Sequence, residues 1–233
     1  MQITRRASED RGKSELGWLH GRHTFSFAEY RDRDHMGFRN LRVLNDDIVE
    51  PGQGFGTHGH QNAEILTYVI EGRLEHKDSM GNGSIIEPGK LQYMSAGSGV
   101  THSEFNPSRD QRVHLLQIWI LPDANGGEPR YAEHALPPAA DASALTLAFA
   151  GRPRDGAVAI RADADVYLGR LAPGGALAHA TSPGRGVWIH VFEGALAIGG
   201  TQLGEGDGAA IEQAASIEMA STEGAAFLLF DLR

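Results

Sequence analysis

Four side chains in the first half of the chain have the types and spacing to hold one metal ion. The segment G-Q-G-F-G-T-H-G-H ends in His58 and His60, and the segment T-H-S-E-F carries His102 and Glu104. Residues two apart in a β-strand point to the same face, so each pair can converge on one point. Two such pairs on facing strands offer three neutral imidazoles and one carboxylate. That set suits a divalent first-row metal and leaves one or two coordination positions open, as a catalytic metal requires. One H-x-H alone is more often two surface histidines than a ligand pair. A second pair, also behind a Gly-rich turn, favours the metal. His20, His23, His35, His76, His114, His134, His179 and His190 lack such a partner and are expected to be structural.

The elements that must position these residues are short. LRVLNDDIV, EILTYVIEG, RVHLLQIWIL, VYLGRLA, GVWIHVFEGALAIG and AAFLLFDL are apolar stretches rich in Val, Ile, Leu and aromatics, bounded by turn residues. Helical periodicity is hard to find, so the chain reads as all-β, a sandwich or barrel. Residues 121–144, rich in Pro, Gly and Ala, carry no strand signal and are expected to connect two domains, 1–130 and 131–233. YVIEGRLEH (68–76) resembles HVFEGALAI (190–198), and EPGKLQYMSAG (87–97) resembles GEGDGAAIEQA (204–214), which suggests duplication of one β unit.

Composition excludes several classes. The chain of 233 residues has no cysteine, so disulfides, thiolate metal sites and a Cys nucleophile are ruled out, and a reducing cytoplasm is the expected compartment. A formal net charge of -9 opposes non-specific binding to nucleic acid or anionic membrane. No long apolar run suggests a membrane span, and MQITRRASEDRGK lacks the apolar stretch of a signal peptide.

The residues also carry a resemblance. Gly52, His58-x-His60 and the later GVTHSEFN are similar to the two cupin motifs, with Gly97 where the second motif usually has proline. HTFSFAEY (23–30), MGFRNLRVLNDD (36–47), HGHQNAEILTYVIEG (58–72), DSMGN (78–82) and MSAGSGVTHSEFNPS (94–108) resemble the pirin family of the cupin superfamily, closest to bacterial pirin-like proteins with quercetin 2,3-dioxygenase activity. The likeness is strong from about residue 3 to 134 and continues weakly to the closing LLFDL.

The resemblance implies a bicupin, two consecutive cupin-type β-barrel (double-stranded β-helix) domains, the first binding metal and the second degenerate. It places the family's ligands on His58, His60, His102 and Glu104, the set that spacing alone selects. Glu64 stands where many cupins place a ligating glutamate; pirins use the later one, so Glu64 is expected in a supporting or structural role. The implied reaction is cleavage of a flavonol such as quercetin by dioxygen with loss of carbon monoxide. Glu104 is the candidate base for the flavonol 3-hydroxyl. Iron(II) is the expected ion, with copper, nickel, manganese or zinc accepted by the same ligands. A planar aromatic substrate calls for an apolar mouth, for which Phe25, Phe27, Phe38, Phe55 and Met94 are the candidates. His179 and His190, eleven residues apart without a carboxylate partner, cannot supply a comparable site. A monomer is expected. The alternative from another class is a non-catalytic metal- and redox-sensing pirin that acts through protein partners.

Overall fold

The computed structural model describes residues 1–135 and 143–233. Apart from one three-residue helical turn at Ser8–Asp10, its regular elements are strands. In chain order these are β1 (Gln2–Arg6), β2 (Gly12–Glu15), β3 (Leu19–His23), β4 (Leu41–Val49), β5 (Gly54–His60), β6 (Glu64–Glu71), β7 (Leu74–Asp78), β8 (Gly83–Ile86), β9 (Lys90–Ser95), β10 (Val100–Phe105) and β11 (Val113–Ile120). Then come β12 (Arg130–Ala135), β13 (Ala144–Ala150), β14 (Val158–Ala159), β15 (Ala164–Leu171), β16 (Ala176–Ala180), β17 (Gly186–Gly194), β18 (Leu196–Ile198), β19 (Thr201–Leu203), β20 (Gly208–Glu212), β21 (Ser216–Ala220) and β22 (Ala225–Leu232).

Two compact units result: one of Gly12–Leu136 with Ile160–Ala162, the other of Met1–Arg11, Pro137–Ala159 and Asp163–Arg233. The first contains a seven-stranded sheet in the order β12-β9-β6-β11-β4-β3-β2 and a four-stranded sheet β5-β10-β7-β8. The second contains β1-β20-β17-β22-β15-β13-β14 and β16-β21-β18-β19. The run β9-β6-β11-β4 in one unit matches β20-β17-β22-β15 in the other, and β5-β10-β7-β8 matches β16-β21-β18-β19. The segments that look alike in the sequence fall on equivalent strands of this repeat, β6–β7 with β17–β18 and β9 with β20.

Two features differ from the sequence-based organisation. Met1–Arg11 belongs to the second unit, because β1 pairs with β20 from Gln2↔Glu212 to Arg6↔Gly208 and so completes that sheet. The stretch 121–144, expected to be without strands, contains β12, which pairs with β9 from Arg130↔Ser95 to Ala135↔Lys90. Its residues 136–142 lie outside the described residues.

The strands form where the sequence alternates or runs apolar, and each unit buries the product. Val49, Val69, Leu74, Ile86, Val113 and Leu115 pack between the sheets of the first unit, and Ala63, Ile65, Met94, Ala96 and Val100 form a second cluster there. The second unit has its own core, which includes Val187, Ile189, Val191, Phe227 and Leu229.

The pairing of β5 with β10 sets the position of the metal-ligand candidates. His102 lies opposite His58 and Val100 opposite His60, after which the register shifts so that Glu104 faces Phe55. Two residues of β5, Gly56 and Thr57, stand there against the single Ser103 of β10. This bulge reverses the alternation of β5 and brings Phe55 to the same side as His58. Gly54 closes the strand against β10: a Cβ there would overlap the Glu104 carbonyl oxygen and come within 2.6 Å of the Phe105 Cα. Gly54→Ala is therefore expected to destabilise the fold by about 1–3 kcal/mol, as overpacking does. The checks are a lowered thermal midpoint and weakened metal retention in the purified variant.

Candidate metal centre

Strands β5 and β10 bring three of the four candidates together. The ligand atoms of His58, His60 and His102 all lie within 4.8 Å of one another. His58 Nδ1 sits 2.8 Å from the Gly56 carbonyl oxygen, which makes Nδ1 the protonated nitrogen and leaves the Nε2 lone pair for the cluster. His58 Nε2 and His102 Nε2 are 3.1 Å apart, the separation expected for neighbouring ligands each about 2.1 Å from one cation. Burial, reinforced by the neighbouring His58, lowers the His60 imidazole to about 4 and His102 to about 3. Both are therefore neutral near pH 7, the form in which a histidine binds metal.

Glu104 shares the inward face of β10 with His102 and is buried. Its carboxylate lies outside the three-histidine group and accepts hydrogen bonds from Gln117 Nε2 at 2.8 Å and, at the outer limit, from Thr67 Oγ1 at 3.5 Å. Thr67 also donates to Gln117 Oε1 at 2.8 Å. Burial pushes the Glu104 carboxyl up to about 7, against the lowering effect of these two donors. A buried carboxylate beside three imidazoles is a donor set that fits a divalent cation.

A cavity of about 270 Å³ opens onto His58, His60 and Glu104. Its apolar walls include Trp18, Phe27, Phe55, Leu115 and Trp119. Phe55 meets Trp18 edge-on at 5.2 Å, and Trp119 meets His60 edge-on at 4.8 Å and Phe27 at 5.5 Å. Polar residues from the large sheet line it too: Asn45, Asp47, Gln117 and His23, whose Nε2 lies 2.8 Å from Ser14 Oγ.

Of the aromatic candidates flanking the motifs, Phe27 and Phe55 line this cavity. Phe25, Phe38 and Met94 do not. Phe25 is buried, and Phe38 forms an isolated bridge with Leu41. Met94 packs in the core with Ile65 and Val100, where Trp119 and Tyr131 cover it. Glu64 is also away from the histidines. It alternates with Ile65, Thr67 and Val69, so it points to the opposite face of β6. There it accepts hydrogen bonds from Tyr93 Oη at 2.5 Å, Ser95 Oγ at 2.6 Å and the Arg161 backbone N–H at 2.9 Å. This is a structural clasp.

Sequence spacing missed several residues of the site. His76 on β7 faces Glu104 across the ladder, stacks on Tyr131 at 5.1 Å and lies 5.2 Å from His102. It is fully buried, and neither ring nitrogen has a partner among the described residues. Asn45, Asp47 and Gln117 were missed as well. Their one visible signal is a polar residue interrupting an apolar strand, as in LRVLNDDIV and HLLQIWI.

In the second unit, the equivalent strand β16 carries His179, which pairs with Asp231 at 2.8 Å. Asp231 also receives the Arg185 guanidinium, and Arg185 reaches Asp163 at 2.6 Å. Among the described residues, the group His58, His60, His102 is the one cluster of three or more potential ligands with converging atoms.

Two cupin domains, with a histidine cluster at the base of an apolar cavity in the first, define a bicupin. Residues 4–120 match the Pirin family model and residues 147–232 match the Quercetinase C-terminal cupin domain, and the chain belongs to the pirin family. It is 44% identical to the quercetin 2,3-dioxygenase of Escherichia coli K12 over 228 residues, 97% of each chain. The crystal structure of YhhW from Escherichia coli superposes with a TM-score of 0.96 at 44% identity, covering 100% of this chain and 98% of that one. The structure of the bacterial pirin YhhW in complex with nickel(II), also from Escherichia coli, gives a TM-score of 0.95 at 43% identity over 99% of both chains.

Two predictions follow from the site geometry. His58→Ala, His60→Ala and His102→Ala should each abolish metal retention after dialysis while leaving the β-sheet circular dichroism intact. Stoichiometric metal in all three would show that the site is elsewhere. The two glutamates should separate. Glu64→Gln puts amide hydrogens where three donors converge, and should cost about 1–3 kcal/mol of stability with metal content unchanged. Glu104→Gln should weaken metal binding and reduce turnover about 10²–10⁴-fold. Elemental analysis and thermal melts of both variants, side by side, decide it: metal loss in Glu64→Gln alone would reverse the assignment.

Proposed function

We propose that this protein is a quercetin 2,3-dioxygenase: a metal-dependent enzyme that opens flavonols such as quercetin with dioxygen, consuming one dioxygen and releasing one carbon monoxide per substrate. The observation that carries this reading is the His58–His60–His102 cluster, with Glu104 beside it, at the base of a cavity walled by Trp18, Phe27, Phe55 and Trp119. The 44% identity to an enzyme of that name, and the nickel(II) complex of the similar YhhW, support it.

In this reading His58, His60, His102 and Glu104 are the ligands of one divalent ion in the N-terminal domain, iron(II) by preference, and the C-terminal domain holds none. When bound, that ion supplies Lewis acidity toward the substrate hydroxyl and an open position for oxygen chemistry. The chain's own groups do the rest. The hydrogen bond to the Gly56 carbonyl fixes the His58 tautomer and ring orientation. The aromatic walls hold a flat ring system and exclude water from it. Glu104 takes the proton of the flavonol 3-hydroxyl on a carboxylate oxygen, and Gln117 holds that carboxylate in place from the large sheet. The indole ring of Trp119, packed edge-on against His60, keeps that imidazole from turning away from its neighbours.

Iron(II)-loaded protein mixed with quercetin in air should bleach the flavonol absorbance and release carbon monoxide in equal amount. Protein that carries stoichiometric metal yet leaves quercetin unchanged would sink the dioxygenase reading and favour a metal-sensing role through protein partners.

A further inference from the structure

The cavity contains a line of polar side chains that the metal centre does not account for. On the large sheet, His23 of β3 pairs in register with Asn45 of β4, Asn45 with Gln117 of β11, and Gln117 with Thr67 of β6. The four therefore share one register line and one face. His23, Asn45 and Gln117 line the cavity. Strands in a sheet are about 4.8 Å apart, so Asn45 sits one strand beyond Gln117, and His23 two, about 10 Å away.

The hydrogen bonds along this line are unevenly distributed. Gln117 is satisfied at both ends, donating to Glu104 and accepting from Thr67. His23 is joined to Ser14 through Nε2. Asn45 is only 2% exposed, and its Oδ1 has no partner among the described residues. A buried carbonyl with no donor is costly to maintain, and such groups commonly mark the place of a ligand or water. None of the polar side chains that share the cavity with it, Ser14, His23, Asp47 and Gln117 among them, donates to this oxygen, so a ligand that fills the space must bring the donor itself.

We propose that Asn45 determines specificity: its Oδ1 accepts a hydrogen bond from a hydroxyl on the part of the substrate turned away from the metal-site histidines. The substrate class is then a planar aromatic that is hydroxylated remotely from the group placed at the histidines, rather than any flat apolar ring system. This rests on the flavonol reading of the cavity and sharpens it. A site built to receive a hydroxyl rejects the analogue that lacks it, because the buried acceptor is then left unpaired.

The test compares quercetin with 3-hydroxyflavone, which keeps the 3-hydroxyl and lacks all the others. Binding to the metal-loaded protein is measured without oxygen, from quenching of the Trp18 and Trp119 fluorescence, and turnover is measured separately in air. Wild type should bind quercetin at least about tenfold more tightly, the worth of one neutral hydrogen bond. Asn45→Leu should lose most of that preference through weaker quercetin binding. Asn45→Asp, which retains acceptor oxygens, should keep it. Equal affinities for the two flavonols in wild type would overturn the proposal without recourse to any variant, and so would an unchanged preference in Asn45→Leu. Failure of the reaction reading looks different: an Asn45-dependent binding preference with no turnover in air removes the dioxygenase and leaves the recognition intact. Turnover of both flavonols without preference does the reverse.

Discussion

The antiparallel contact between β5 and β10 is the constraint on which the site depends. β5 presents His58 and His60 and β10 presents His102 and Glu104, each pair two residues apart, and one register sets His58 across from His102. A slip of one residue would turn His58 and His60 to the face away from His102 and Glu104. The bulge at Gly56–Thr57 preserves this register over the histidines while resetting it beyond them. The same short strand can thus deliver two imidazoles and, at its other end, the phenyl ring of Phe55 to one cavity. The Gly56 carbonyl, freed from regular ladder pairing, is also the acceptor that orients His58.

The two sheets of the first unit divide the chemistry. The small sheet supplies imidazoles and Glu104, and the large sheet supplies Gln117, Asn45, Asp47 and the wall residue Trp119. Gln117 joins them, since its amide nitrogen reaches Glu104 while its oxygen accepts from Thr67. The second unit repeats the strand order with different contents. Where the first unit gathers imidazoles without a carboxylate among them, the second ties His179 to Asp231, which Arg185 also pairs with.

The legible part of this arrangement was the part carried by strand periodicity. H-x-H and H-x-E declare their shared faces without any knowledge of pairing, and the apolar runs 41–49, 64–72 and 112–121 fall on β4, β6 and β11 almost to the residue. Proximity in sequence was a poorer guide. Met94 and Phe25 flank the motifs yet belong to the core, whereas Trp18 and Trp119 come from strand surroundings 40 or more residues from His58 and His60 along the chain. Phe55 could be nominated, but its inward direction depends on a bulge that the sequence does not announce. The polar line His23–Asn45–Gln117–Thr67 was out of reach for a different reason. It exists only through the pairing order β3-β4-β11-β6, which no local pattern encodes.

The course of the chain has a further consequence. Met1–Arg11 completes a sheet with β20, and Ile160–Ala162 returns to the unit that holds Glu64, supplying the Arg161 N–H that Glu64 accepts. The duplicated halves have thereby exchanged segments. A scission near the middle of the sequence would leave one fragment carrying β1 without β20, and would deprive the buried Glu64 of one of its three donors. Neither half is a modular cassette that recombination could lift out and reuse. Once the strand and the return segment had been traded, the second copy became obligatory to the inheritance of the first.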